Sequence, residues 1–151
     1  MEPGPITLKE NLSLVFAERI LRERIEFALR QEMAVSDETK VDYWNLPAFY
    51  EFQRFRIEAD FSPDDLELIL EFIKSTCLEL PEGSFRLDEL ERFRELLKSE
   101  CETNSNNNEY IVENVLLSAG ERAIWISEWN EVNGGFLEEI TRDMIVETFK
   151  K

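Results

Sequence analysis

Carboxylates are the most abundant side chains in this sequence that could perform chemistry. The chain has 33 acidic and 17 basic residues, and neighbouring acids occur at Asp64-Asp65 and Glu138-Glu139. Paired carboxylates can coordinate a hard cation or act together as general acid and base. Carboxylates are mostly exposed on protein surfaces, and the EF-hand loop pattern is absent. We therefore interpret these pairs as solvated helix faces and predict no metal site.

The sequence lacks the other residue types on which most catalytic sites depend. It has no histidine and two cysteines, Cys77 and Cys101. This excludes Ser-His-Asp and Cys-His catalysis, imidazole-bound zinc, four-thiolate zinc and a disulfide scaffold. The 5 glycines form neither a phosphate-binding loop nor a dinucleotide fingerprint. We predict that the chain is not an enzyme, that it uses no cofactor, and that both cysteines remain thiols in a reducing compartment.

The charge balance restricts the classes of partner. The formal net charge is −16, and no cluster of lysine and arginine occurs that could neutralise nucleic-acid phosphates. An anionic membrane surface would repel the chain, and no apolar run approaches the roughly 18 residues of a transmembrane helix. The N-terminus has no basic region followed by an apolar run, as a secretory signal would. We predict a cytoplasmic protein that binds neither nucleic acid nor membranes.

Apolar residues recur at three- and four-residue steps along much of the chain, and this periodicity predicts helices. We expect a flexible lead-in over residues 1–7 and a single helical domain over residues 8–151. The asparagine-rich segment 103–108 is expected to be a mobile loop. The segment from Leu8 to about Ala34 is predicted to be helical, as one long helix or as two or three short ones packed together. Further helices are predicted from Ser62-Pro63 onward, from about Leu87 to Lys98, and over Phe136–Phe149.

Two regions have less clear patterns. The aromatic stretch Val41–Ile57 contains Pro47, so a helix there would begin at this proline or be kinked by it. We interpret most of its aromatic side chains as core. Residues 110–129 could form a helix or a strand, and Trp125 and Trp129 would share a face in either case. The alternative to an all-α fold is therefore an α+β fold with a C-terminal β-hairpin around residues 110–129.

Several short motifs occur in the same order as in one family of signalling domains. From the N-terminus they are Ser13-Leu14 with Ile25, Ala28, Leu29 and Glu32; Asp37–Trp44; Ser62-Pro63 with Leu68–Ile73; Leu78–Pro81; and Gly120–Trp125 with Phe136-Leu137. In this order the chain resembles the regulator of G-protein signalling (RGS) domain. The resemblance implies an all-α fold, a single helical bundle of about seven to nine helices.

The resemblance also implies a function. RGS domains accelerate GTP hydrolysis on a G-protein α subunit without a catalytic residue of their own, by holding its switch segments in the transition-state arrangement. This chain is accordingly expected to bind such a subunit or a related protein partner. The family's asparagine and arginine contacts are replaced at some positions, which weakens the expectation of GTPase activation. The partner-binding positions fall on Glu38, Thr39, Lys40, Pro81, Glu131 and Gly135.

A second function is compatible with the net charge of −16. An acidic inhibitor, such as an immunity protein or a DNA mimic, presents carboxylates to a basic protein target. A high net charge also aids solubility without any such role. Both functions would be protein binding without catalysis.

Overall fold

A computed structural model describes residues 7–33, 39–45, 53–110 and 135–150. The first helix, α1, spans Leu8–Phe27 and continues as a π-helical turn over Ala28–Glu32. Thr7 is its N-cap, because the Thr7 hydroxyl accepts a hydrogen bond from the Glu10 backbone N–H and the Glu10 carboxylate accepts one from the Thr7 N–H. The helix predicted from Leu8 is confirmed over residues 8–32.

Helix α1 supplies the centre of the hydrophobic core. Its apolar side chains recur at three- and four-residue steps, so that they form one stripe along the helix. The stripe is buried against the remaining elements. Its most buried members are Phe16, Ala17, Ile20, Leu21, Ile25 and Leu29.

A β-hairpin follows in the stretch where no strand was predicted. Strand β1 spans Thr39–Asn45 and strand β2 spans Gln53–Ala59. The two strands pair antiparallel, with Val41 opposite Ile57. Val41 is fully buried beneath α1. The predicted all-α bundle of about seven to nine helices is therefore wrong, and the described part of the chain has an α+β architecture.

The alternation of side chains explains the hairpin. In a strand, successive side chains point to opposite faces of the sheet. Phe55, Ile57 and Ala59 pack against the core, whereas Arg54 and Glu58 are exposed. This period of two residues is typical of a strand, and the aromatic content of the stretch is compatible with it. The alternative hairpin around residues 110–129, with Trp125 and Trp129, lies outside the described residues except at residue 110.

Helix α2 follows the hairpin after a short connection and packs against α1. Ser62 caps a 3-10 turn over Pro63–Asp65, and α2 spans Leu66–Glu79. The helix start predicted at Ser62-Pro63 is confirmed, because the Ser62 hydroxyl accepts a hydrogen bond from the Asp64 N–H at 3.4 Å. Ile69 and Thr76 form its buried side.

Helix α3 spans Leu87–Ser105 and begins at the predicted residue. It ends later than predicted, so the expected loop over 103–108 is partly helix. The Thr103 hydroxyl donates to the Ser99 carbonyl oxygen within this last turn at 2.9 Å. A three-residue helix, α4, follows at Asn108–Tyr110.

The C-terminal segment contains two helices, α5 over Leu137–Glu139 and α6 over Arg142–Phe149. The helix predicted for 136–149 is interrupted at Ile140, whose backbone is extended with φ −70° and ψ 117°. Thr141 then caps α6 by accepting a hydrogen bond from the Met144 N–H. Ile140 and Ile145 are fully buried, so that both halves contribute to the core.

Among the described residues, no helix combines the length and the apolar character that crossing a bilayer requires. Of the predicted lead-in over residues 1–7, Thr7 is the N-cap of α1. Residues 1–6 lie outside the described part, and for them the lead-in stays a prediction.

Candidate functional site

A groove of about 470 Å³ lies beside β2 and against α2. Lys40, Glu58 and Asp60 provide its charged groups. Its apolar lining consists of Ile57, Ala59, Phe61, Ile69, Leu70 and Ile73. We call this feature the β2–α2 groove.

The local sequence explains why the groove forms. Strand β2 ends at Ala59, and only Asp60–Ser62 separate it from the 3-10 turn that leads into α2. This short connection holds the first turns of α2 next to the end of β2. Ile69 is fully buried at the base, whereas Leu70, one residue further round the helix, is 56% exposed. The groove is therefore an apolar surface that is open to solvent.

The charged groups of the groove are arranged at its edge. Lys40 on β1 lies opposite Glu58 on β2 in the hairpin register. The Glu58 carboxylate also pairs with the Arg56 guanidinium, with an Nη2–Oε2 distance of 2.8 Å. Asp60 follows the strand and is exposed. In the described part of the chain, β1 is the sole strand that pairs with β2.

The predicted partner-binding residues are distributed over several parts of the molecule. Thr39 is 9% exposed at the start of β1, and the neighbouring Lys40 contributes to the groove. Pro81 lies in the turn after α2, and Gly135 precedes α5 with φ +127°. Neither is among the described residues that line the groove. Glu38 and Glu131 lie outside the described residues.

The apolar lining was not identified from the sequence as a site. A sequence signal for its strand half does exist, in the alternation of charged and apolar residues over Arg54–Ala59. No comparable signal exists for the α2 half, because Leu70 and Ile73 follow the same helical periodicity as core residues. The groove combines residues near the end of a strand with residues on the first turns of a helix.

The two cysteines are poor nucleophiles in this fold. Burial raises the pKa of the Cys77 thiol, and burial together with the nearby Glu100 carboxylate raises that of Cys101. Both are therefore protonated at neutral pH, and thiolate is the reactive form. The described residues contain no group of three or more histidine, cysteine, aspartate or glutamate side chains that could hold a metal ion.

The fold as a whole is similar to parts of two solved proteases. The periplasmic protease PqqL from Escherichia coli matches with a TM-score of 0.81 and 11% identity, over 97% of this chain and 16% of that chain. A mutant of the ferredoxin protease FusC, in complex with Arabidopsis ferredoxin, matches with a TM-score of 0.70 and 14% identity, over 99% of this chain and 16% of that chain. No family model matches this chain, and no curated protein matches its sequence.

These comparisons show the fold, and they correct the earlier functional predictions. The chain matches 16% of the length of each protease. The RGS resemblance is wrong, as is the inferred G-protein α subunit partner with its GTPase activation. The motif Tyr43-Trp44 lies in β1 and not in a helix. The acidic-inhibitor alternative gains no support either, and the expectation of a non-enzymatic class is contradicted because both similar structures are proteases.

Proposed function

We propose that this chain is a polypeptide-binding domain of a proteolytic enzyme and that the β2–α2 groove holds an extended segment of the polypeptide to be cleaved. The proposal is supported by a fold similar to parts of two proteases. The observation that carries it is the open apolar groove along β2, the strand that has β1 as its sole partner in the described part. An extended peptide can pair with such a strand while its alternate side chains enter an adjoining pocket.

A peptide-binding measurement tests this function. The probe is a short, uncharged, fluorescein-labelled peptide with alternating valines, and its binding is measured by fluorescence anisotropy. Leu70→Gln and Leu78→Gln form a matched pair of variants, since both leucines lie on α2 and are 56% and 57% exposed. Only Leu70 lines the groove. We expect Leu70→Gln to weaken binding about tenfold through lost apolar burial, while Leu78→Gln leaves it unchanged. Equal effects of the two variants, or no binding to the unaltered chain, would disprove the function.

We further infer that residues 8–151 form one domain behind a flexible lead-in that ends before Thr7, the N-cap of α1. One core cluster includes side chains from Leu12 to Ile145, which supports a single unit. Limited proteolysis followed by mass spectrometry tests this arrangement. Early cleavage is expected near Thr7, and a stable fragment ending within the interior would contradict it.

We infer a cytoplasmic location from the cysteines. Both are thiols, and each is partly buried. Fractionation of cells and alkylation of thiols before lysis would test this inference. Recovery from the periplasm, the compartment named for PqqL, would refute it.

A further inference from the structure

The segment that builds most of the β2–α2 groove has a one-sided charge. Residues 57–73 supply every lining residue except Lys40. This segment contains no lysine or arginine. Its acidic residues are Glu58, Asp60, Asp64, Asp65, Glu67 and Glu71. The apolar surface of the groove therefore lies within a strongly anionic part of the chain.

Two of the cations near the groove lie beside one carboxylate, and Lys74 follows the lining residue Ile73 at the other end of the segment. Arg56 pairs with Glu58, and Lys40 lies opposite Glu58 in the register. Asp60 stands at the end of β2, beyond these two cations, and is exposed where the strand leaves the sheet. A positive charge on a bound polypeptide would meet Asp60 at this end of the groove.

A second copy of this chain is a poor occupant for the same surface. Each copy carries a formal net charge of −16, so that pairing two such surfaces would bring like charges together. The complementary partner has an apolar side chain for the lining and a cation for Asp60.

We propose that the β2–α2 groove selects extended polypeptide segments in which a lysine or arginine lies next to an aliphatic side chain. This inference deepens the proposed function and rests on it. The aliphatic side chain contacts Leu70 and Ile73, and the basic side chain reaches the carboxylate of Asp60. Segments with an acidic residue at the same position are rejected by the carboxylates around the groove.

Four labelled peptides of equal length test this selectivity in anisotropy titrations with the full chain. Three of them carry valine next to lysine, glutamine or glutamate, respectively. The fourth carries glycine next to lysine. We expect the valine–lysine peptide to bind most tightly, and its affinity to fall as sodium chloride rises to about 0.2 M. Binding of the valine–lysine and valine–glutamine peptides with equal affinity would overturn the selectivity and leave the proposed function standing. Failure of all valine peptides would remove the proposed function itself.

Two variants, Asp60→Asn and Glu102→Gln, then test whether Asp60 is the group that recognises the lysine of the peptide. Each variant removes one exposed carboxylate, and Glu102 lies on α3, away from the groove lining. Asp60→Asn should weaken the valine–lysine peptide about fivefold, the effect of one close charge pair in water, without affecting the valine–glutamine peptide. An equal loss with Glu102→Gln, or tight binding of the lysine–glycine peptide, would mean that the net charge of the chain attracts any basic peptide and would overturn the proposal.

Discussion

Glu18 is an acidic side chain on α1 that is only 6% exposed. Its carboxylate pairs with Arg22 one turn along the helix, and its Oε2 lies 3.6 Å from Arg19 Nε. Arg22 also donates two hydrogen bonds to the Val41 carbonyl oxygen, at 3.0 and 2.7 Å. Burial raises the pKa of Glu18 above its ordinary value of 4.5, and the charges of Arg22 and Arg19 offset only part of that effect.

This raised pKa makes the stability of the protein depend on pH in a definite direction. A carboxyl group whose pKa is higher in the folded state binds its proton more tightly there than in the unfolded chain. The contribution of Glu18 to the free energy of unfolding is therefore greatest when it is protonated, and it falls as the pH rises from 4.5 through the raised pKa. Urea denaturation over a pH series should show the unaltered protein losing stability relative to Glu18→Gln across this interval. Glu102→Gln, which removes an exposed charge, is the control, and a constant difference between Glu18→Gln and the unaltered protein would contradict the prediction.

Gly83 lies in the turn between α2 and α3 with a positive φ of 73°. Its N–H donates to the Leu80 carbonyl oxygen at 2.9 Å, and an added Cβ would lie 3.1 Å from Arg142 Nη2. We expect Gly83→Ala to reduce the free energy of unfolding by about 1–2 kcal/mol, because side chains disfavour this backbone conformation. Gly83→Asn should cost less, since asparagine tolerates it better. Chemical denaturation measures both, and equal stability of Gly83→Ala and the unaltered protein would argue against a strained turn.

At the scale of the elements, Arg94 joins α3 to the C-terminal segment. Its guanidinium is buried and donates from Nε to the Leu137 carbonyl oxygen at 2.9 Å and from Nη2 to the Ile140 carbonyl oxygen at 2.7 Å. Leu137 is the first residue of α5 and Ile140 is the residue that follows it. In so short a helix the backbone carbonyls lack helical hydrogen-bond partners. Arg94 therefore replaces the backbone partners that a longer helix would have provided.

Arg94→Lys should consequently destabilise the protein by about 2–4 kcal/mol, because a single ammonium nitrogen would replace the two separate guanidinium nitrogens that reach the two buried carbonyls. Arg92→Lys is the matched control, since Arg92 lies on the same helix and pairs with Glu23 while 56% of its side chain is exposed. Its cost should stay below about 1 kcal/mol. Urea denaturation gives both values, and hydrogen exchange should show faster opening at residues 137–140 in Arg94→Lys alone. Similar costs for the two variants would refute the role of Arg94.

The helices were more predictable from the sequence than the hairpin. The predicted starts at Leu8 and Leu87 rest on apolar periodicity and that near α2 on Ser62 with Pro63, and the helices begin there. The hairpin depends on pairing between Thr39–Asn45 and Gln53–Ala59, which local patterns specify less strongly. The spacing that suggested an RGS domain consists of short apolar motifs, and many amphipathic helices have such motifs.

The candidate site was less predictable still. Lys40 lines the groove and was named from a resemblance that proved wrong, so its position there does not validate that reasoning. Ile57 and Leu70 belong to elements of different periodicity, and they line one groove because a short connection places the start of α2 near the end of β2. A sequence pattern describes one element at a time, whereas this surface depends on the relation between two.

At the scale of the whole molecule, the chain carries many more acidic than basic side chains. Even if all 17 basic residues were paired, 16 of the 33 acidic residues would have no cation to balance them. Ion pairs such as Lys9–Glu139 and Lys98–Glu138 offset some of this repulsion locally. Exposed pairs of this kind contribute little to stability. The remaining repulsion acts throughout the folded chain and decreases when the molecule expands.

Added salt should therefore stabilise this protein at neutral pH. Sodium chloride at about 0.3 M reduces the range of repulsion to less than the size of the domain, and it weakens the exposed ion pairs at the same time. Since the surplus of like charge exceeds what those pairs offset, we expect the midpoint of urea unfolding to rise with salt at pH 7. The same titration near pH 4.4, the isoelectric point of the sequence, is the internal control because the net charge there is close to zero. The salt effect should disappear or reverse at that pH, whereas a decrease in stability at pH 7 would show that the ion pairs outweigh the surplus charge.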